Sequence, residues 1–156
     1  MSDALPPCGL YVTTGSIASV PAGRLVYFHN HGNPGPGVYL PESWTGNRAR
    51  FQARGTTLPD NSAAKLLSPL AAEGFYRVRE AFFCCGKKCR HFEVDDLVQL
   101  GYDGSATPIL FTPQLRETGI DLPDQGIRID LDRIDKLVRL RLGSSSAPAP
   151  VDELLH

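Results

Sequence analysis

The stretch Leu97-Val-Gln-Leu-Gly-Tyr-Asp-Gly-Ser-Ala-Thr-Pro-Ile-Leu-Phe111 predicts an antiparallel β-hairpin near the middle of the chain. Two apolar runs, residues 97–102 and 106–111, lie on either side of Asp103-Gly104. An Asp-Gly pair accepts the backbone angles of a tight turn, and between two apolar runs it is a strong hairpin signal. The hairpin indicates a protein built mainly from antiparallel strands.

Other candidate strands lie on both sides of this hairpin. They are rich in β-branched and aromatic residues and bounded by Gly and Pro: Leu10–Thr13, Arg24–His29, Val38–Leu40, Arg48–Gln52 and Gly74–Cys85. Glycine (15) and proline (13) are frequent among the 156 residues, which indicates many turns and short elements. We therefore expect strands rather than long helices.

Two short helices are predicted, over residues 61–72 and 131–141. The first follows Asp60, a good N-cap residue, and Pro69 interrupts it. The second follows Asp130 and has acidic residues in its first turns and basic residues near its end, which matches the helix dipole. An alternative interpretation of its last part is a strand over Val138–Leu142, because those residues also alternate.

These elements predict a single α+β domain over residues 1–142, mainly antiparallel β, with a small barrel or a curved sheet and two short helices. Residues 143–156 read as a flexible Ser/Ala/Pro linker and C-terminal tail. The sequence shows no internal repeat.

Composition and charge exclude some classes of protein. The net charge of −1 gives no overall attraction to nucleic acid or to membranes. The N-terminal residues lack the pattern of a signal peptide, and no run approaches the ~18 apolar residues of a membrane span. We therefore expect a cytoplasmic protein, in which clustered cysteines act as metal ligands or redox thiols.

A cysteine cluster, Phe83-Cys-Cys-Gly-Lys-Lys-Cys-Arg-His91, is the first candidate site. Cys85 and Cys89 have the spacing of a zinc loop, and Cys84 and His91 complete a set of soft ligands that favours Zn²⁺. Two alternatives stay open. The cysteines can be plain core residues, or they can be redox thiols whose pKa values are lowered by Lys87, Lys88 and Arg90.

A histidine pair, His29 and His31, is the second candidate site. If the strand continues that far, both side chains project from the same face and can chelate one ion. The alternative is that they are solvated loop residues. A combined hypothesis brings one of them to the 84–91 cluster, where it completes a single site.

The basic residues of the middle segment suggest a surface for a partner. Between residues 48 and 90, nine basic residues face three acidic ones, and the excess reverses after residue 90. The simplest explanation is that the two charged blocks face each other across the fold. The alternative is a partner-binding surface formed by Arg48, Arg50, Arg54, Lys87 and Lys88.

Together these patterns predict a small cytosolic binding or adaptor module with a Cys-rich, structural-zinc loop, rather than an enzyme. A protein partner is expected, nucleic acid and membrane are not, and the oligomeric state stays open. One alternative is a small metalloenzyme with His29 and His31 as ligands. The other is a thiol-redox protein using Cys84, Cys85 and Cys89.

Overall fold

A first unit of the chain is built on an open five-stranded antiparallel sheet. In the computed structural model, which describes residues 4–32 and 34–143, its strands lie in the order β6-β3-β2-β1-β7. The strands are β1 (Gly9–Thr13), β2 (Leu25–His29), β3 (Gly37–Tyr39), β6 (Thr56–Thr57) and β7 (Leu67–Pro69). A hairpin of β4 (Pro41–Thr45) and β5 (Arg48–Phe51) follows β3, and a 3₁₀ helix, Asn61–Leu66, precedes β7.

A second unit repeats this plan. Its five-stranded antiparallel sheet has the order β15-β12-β11-β8-β16. The strands are β8 (Gly74–Val78), β11 (Leu97–Tyr102), β12 (Pro108–Phe111), β15 (Ile127–Arg128) and β16 (Leu137–Arg139). A hairpin of β13 (Gln114–Arg116) and β14 (Gly119–Asp121) follows β12, and a 3₁₀ helix, Leu131–Lys136, precedes β16. Between β8 and β11 this unit carries one extra hairpin, β9 (Phe82–Phe83) with β10 (His91–Phe92).

The two units match in strand order and register, so the chain contains a structural repeat that we did not find in the sequence. Tyr11 of β1 pairs with Val26 and Pro69, and Tyr76 of β8 pairs with Val98 and Arg139 at the same places in its own sheet. Each tyrosine hydroxyl donates a hydrogen bond to the carbonyl four residues earlier, at 2.7 Å and 2.6 Å.

Glycines mark the same close approach in both units. A Cβ at Gly55 would lie 2.8 Å from the carbonyl oxygen of Val38, and one at Gly126 would lie 2.6 Å from that of Leu110. Real Cβ atoms almost never come this close to backbone, so only glycine fits beside the third strand of either sheet.

The two units pack against each other through a shared core. Leu25 of β2 is fully buried in the cluster that holds Val98, Leu100 and Leu110 of the second sheet. The short connection between β7 and β8 is held in place as well, because Tyr102 donates a hydrogen bond to the carbonyl of Ala71 at 2.7 Å.

The strand predictions are largely confirmed. The Asp103-Gly104 hairpin is present as β11 and β12, and the sheets are antiparallel. The predicted strand Gly74–Cys85 is divided into β8 and β9. The predicted small barrel is not formed as a closed barrel. In the described part of the chain, the two edge strands of each five-stranded sheet do not pair with each other.

The helix predictions need correction in length and type. Both helices are single 3₁₀ segments of six residues, 61–66 and 131–136. Asp60 is the predicted cap and accepts a hydrogen bond from the backbone N–H of Ser62 at 2.9 Å, whereas Asp130 makes no such bond. Each helix ends because the next residues pair with the first strand of their sheet, so the strand interpretation of the segment after Leu137 is correct in part. Residues 144–156 of the predicted tail lie outside the described residues.

Candidate metal site and thiol loop

Antiparallel pairing of β1 and β2 creates the principal candidate site. Gly9 at the start of β1 lies opposite Phe28 near the end of β2. Cys8, the residue before β1, is therefore brought beside His29 and His31, which end β2 and begin the loop after it. The sequence analysis identified both histidines but not the cysteine.

The three side chains converge at distances that suit a transition metal. Cys8 Sγ lies 3.7 Å from Nδ1 of His29 and 3.8 Å from Nδ1 of His31. Zinc bonds of about 2.3 Å to sulfur and about 2.0 Å to nitrogen, at a tetrahedral angle, place such atoms about 3.5 Å apart. Within residues 4–32 and 34–143, this is the one group of three Cys, His, Asp or Glu side chains whose ligand atoms all lie within 4.8 Å of one another.

Asn30 makes hydrogen-bond contacts with two members of this group. Its backbone N–H donates a hydrogen bond to Cys8 Sγ at 3.3 Å, and the thiol of Cys8 donates to Asn30 Oδ1, also at 3.3 Å. Its side-chain amide donates to the carbonyl of Pro6 at 3.2 Å, so its Oδ1 faces His31 Nδ1 at 2.9 Å. Asn30 thus contacts both Cys8 and His31.

Aromatic rings and partial burial fix the histidines. The ring of His29 contacts the edges of Tyr27 and Tyr39, with centroids 5.3 Å and 5.8 Å away, and lies 5.0 Å from the ring of His31. Cys8 and His29 are half-buried and His31 is exposed. Burial, with a smaller contribution from the nearby charge of Cys8, raises the pKa of Tyr11. The site is therefore partly sheltered on one side and open to solvent on the other.

A cleft of about 480 Å³ lies beside Cys8, between the two units. The first unit contributes Cys8, Leu10, Tyr27 and Phe51 to its walls, and the second contributes the carboxylate of Glu73. Burial raises the pKa of the Glu73 carboxyl, against the opposing effects of the Ala49 backbone N–H and of the Arg48 charge. Besides Glu73 and Arg48, the charged residue that lines the cleft is Arg139. This cleft gives a ligand access to the sulfur side of the group.

The predicted cysteine cluster forms the loop between β9 and β10. Cys84 is buried, Cys85 is half-buried and Cys89 is exposed. Cys84 Sγ lies 3.7 Å from Cys85 Sγ and accepts a hydrogen bond from the Arg90 backbone N–H at 3.3 Å. The structure brings these thiols near one another, but in the described chain they do not form a group of three mutually close ligand atoms.

The thiols of Cys85 and Cys89 differ in acidity. The pKa of Cys85 is lowered mainly by a hydrogen bond from the Lys87 backbone N–H and also by its contact with Cys84. The pKa of Cys89 is raised, mainly because a thiolate at Cys85 repels a second negative charge. Cys85 therefore loses its proton at a lower pH than Cys89.

The remaining predicted site residues take other roles. His91 contacts Glu93, with Nδ1 3.1 Å from Oε1, and its ring packs on Phe83. The five basic residues proposed for a partner are all exposed on two separate parts of the fold: Arg48, Arg50 and Arg54 on or just after β5, and Lys87 and Lys88 in the thiol loop. His29 and His31 group with Cys8 and not with the 84–91 cluster, contrary to the combined hypothesis.

Comparison with protein families, with curated proteins and with solved structures finds no match to this chain. A search of the described residues for helices that are long and apolar enough to cross a membrane finds none. The residues and their geometry are therefore the basis for any functional conclusion.

Proposed function

We propose that this protein is a zinc-binding module in which Cys8, His29 and His31 of the first unit hold one Zn²⁺. The observation that carries the proposal is the convergence of one sulfur and two imidazole rings at distances close to those of a tetrahedral site. A set of one thiolate and two imidazoles favours Zn²⁺ over Mg²⁺ or Ca²⁺, which prefer oxygen ligands.

The coordination shell favours a binding role. Three protein ligands leave the fourth tetrahedral position for a ligand from outside. The cleft beside Cys8 offers that ligand apolar walls from Tyr27 and Phe51 and charged groups from Arg48, Glu73 and Arg139. The four cysteines are all free thiols, which supports a reducing compartment such as the cytoplasm.

A metalloenzyme is the second candidate, and the same open position favours it. Zn²⁺ with three protein ligands can lower the pKa of a bound water molecule and activate it as a nucleophile. Glu73 in the adjacent cleft is the candidate proton acceptor, because it lines the cleft beside Cys8 and burial raises the pKa of its carboxyl. Hydrolysis of activated esters by the zinc-loaded protein, lost in Glu73→Gln at unchanged zinc content, would favour this candidate.

Metal titration of reduced, chelator-treated protein tests the main proposal. We expect one Zn²⁺ per chain, and Co²⁺ substitution should give the charge-transfer absorption of a cobalt–thiolate bond. Cys8→Ser should abolish that absorption, and each of Cys8→Ser, His29→Ala and His31→Ala should raise the Kd for zinc by about 100-fold or more.

Cys89→Ser is the matched control, because it removes an exposed thiol from the other unit. It should leave the stoichiometry and the Kd unchanged. If Cys89→Ser abolishes binding while Cys8→Ser does not, the zinc site is the 84–91 cluster and the proposed ligand set is wrong. If no variant changes binding, both sets are excluded.

A further inference from the structure

Within the chain, the hairpin of the first unit docks on the sheet of the second. Its tip, Gly46-Asn47, has positive φ at both residues, as a tight two-residue turn requires. Asn47 donates a hydrogen bond from Nδ2 to Oε1 of Gln99 at 2.9 Å, and Gln99 Nε2 donates to the carbonyl of Gly46 at 2.9 Å. The side chain of Gln99 is buried beneath this tip.

Three further contacts contribute to this docking. Trp44 Nε1 donates a hydrogen bond to the carbonyl of Tyr102 at 2.8 Å, and the backbone N–H of Ala49 donates to Glu73 Oε2 at 3.0 Å. The Asn47 carbonyl lies so close to Gly101 that a Cβ there would approach it to 2.7 Å. The hairpin tip is therefore fitted closely to the second sheet.

Part of the equivalent place on the first unit is open. The repeat makes Tyr27 the counterpart of Gln99, because they pair with Leu10 and Phe75, and it makes Cys8 the counterpart of Glu73. Tyr27, Cys8 and Leu10 all line the open cleft beside the candidate metal site. The part of the docking position that lies over Gln99 and Glu73 on the second unit is thus an open cleft on the first. The close approach at Gly101 has no counterpart there, because His29 stands at that position.

The hydrogen bonds that β13 and β14 of the second unit make within the described residues stay inside their own hairpin. All six residues of β13 and β14 are exposed. Leu115 and Ile120 lie directly opposite each other across this hairpin and are 85% and 69% exposed. Two facing apolar side chains that are this exposed make the hairpin a candidate interaction surface.

We propose that the β13–β14 hairpin of one copy of this chain docks in the first-unit cleft of a second copy, over Cys8 and Tyr27, the counterparts of the Glu73 and Gln99 that lie under the β4–β5 hairpin. The apolar pair Leu115 and Ile120 meets Tyr27 and Phe51 of the cleft. At the tip of the hairpin, the exposed Glu117 approaches the guanidinium groups of Arg48 and Arg139, which line the cleft.

The resulting contact is heterologous, because each copy offers a different surface to each neighbour. Such head-to-tail contacts build rings or open chains rather than two-fold dimers. The proposal does not depend on the zinc site, although the docked hairpin covers the side of the cleft that Cys8 lines.

Sedimentation velocity of reduced, metal-free protein over a range of concentrations tests the contact. The wild type should associate, and its average mass should rise with concentration. Leu115→Glu with Ile120→Glu should raise the association Kd by about tenfold or more. These side chains are exposed, so the fold should be retained; Val94→Glu, at another exposed apolar residue, should leave association unchanged.

A mixing experiment separates this contact from a symmetric one. The cleft variant Arg48→Glu with Arg139→Glu should also be monomeric. Mixed with the hairpin variant, it should form a one-to-one dimer, because one chain retains the hairpin and the other retains the cleft. Monomeric wild-type protein at all concentrations, an unchanged mass for the hairpin variant, or no dimer in the mixture would each overturn the proposal.

Discussion

The two units of this protein share a backbone plan and differ in what they present on it. At three matching positions, Cys8, His29 and Tyr27 of the first unit correspond to Glu73, Gly101 and Gln99 of the second. The first set surrounds a candidate metal site and an open cleft, and the second set lies under a docked hairpin. The two units thus share a backbone plan at a few positions, and the residues on the face between those positions differ.

The positions that maintain the fold are those at which both units have the same residue. Gly9 and Gly74 both have φ values in the range that favours glycine, +158° and +144°. Gly55 and Gly126 both make the close approach to the third strand. We therefore expect that the same substitution at equivalent positions of the two units has a similar effect on stability.

The largest expected effect is at Gly55 and Gly126, which lie beside the third strand of each sheet. Gly55→Val and Gly126→Val should each lower the free energy of unfolding by about 3 kcal/mol or more, because a backbone carbonyl oxygen lies in the way together with neighbouring side chains. Urea denaturation of the purified variants measures this. Gly86→Ala, with nothing within 4 Å of its Cβ, is the control and should change stability little.

A smaller effect is expected at the paired tyrosines. Tyr11→Phe and Tyr76→Phe each remove one hydrogen bond to the carbonyl four residues earlier, and each should cost about 1 kcal/mol in urea denaturation. The two losses should agree closely if the units are equivalent in energy as well as in shape. A loss confined to one variant would show that only one unit uses this bond for stability.

The smallest effect concerns the thiols in which the units differ. Because the pKa of Cys85 is lowered and that of Cys89 is raised, iodoacetamide near pH 7 should modify Cys85 first although Cys89 is more exposed. Mass spectrometry of digested protein after short labelling times gives the order. Raising the pH should reduce the difference, and earlier labelling of Cys89 would contradict the pKa assignment.

Local sequence signals predicted much of the fold. The Asp103-Gly104 turn and the aromatic, β-branched strands depend on neighbours in sequence, and these elements are present. The helices were predicted too long, because their charges and spacing suit a helix while the decisive contact, pairing of Leu67 and Leu137 with distant first strands, is non-local. The repeat escaped detection because the matching residues are few and widely spaced.

The candidate site was predicted in part for the same reason. His29 and His31 share a local motif, whereas Cys8 stands 21 residues before His29 in a segment that reads as an irregular lead-in. The signal that could have found it is the position of Cys8 directly before a strand that pairs with the histidine strand. Antiparallel pairing places the start of one strand beside the end of the next.

The pairing of first and last strands also determines how each unit responds to tension. In the first unit Tyr11 lies opposite Pro69 and Thr13 opposite Leu67, so the chain enters and leaves at the same end of this antiparallel pair. The second unit repeats the arrangement with β8 and β16. A force applied through the chain therefore separates the bonds of each pair one after another instead of loading them together. Each unit should open at low force, like a zipper pulled from its end.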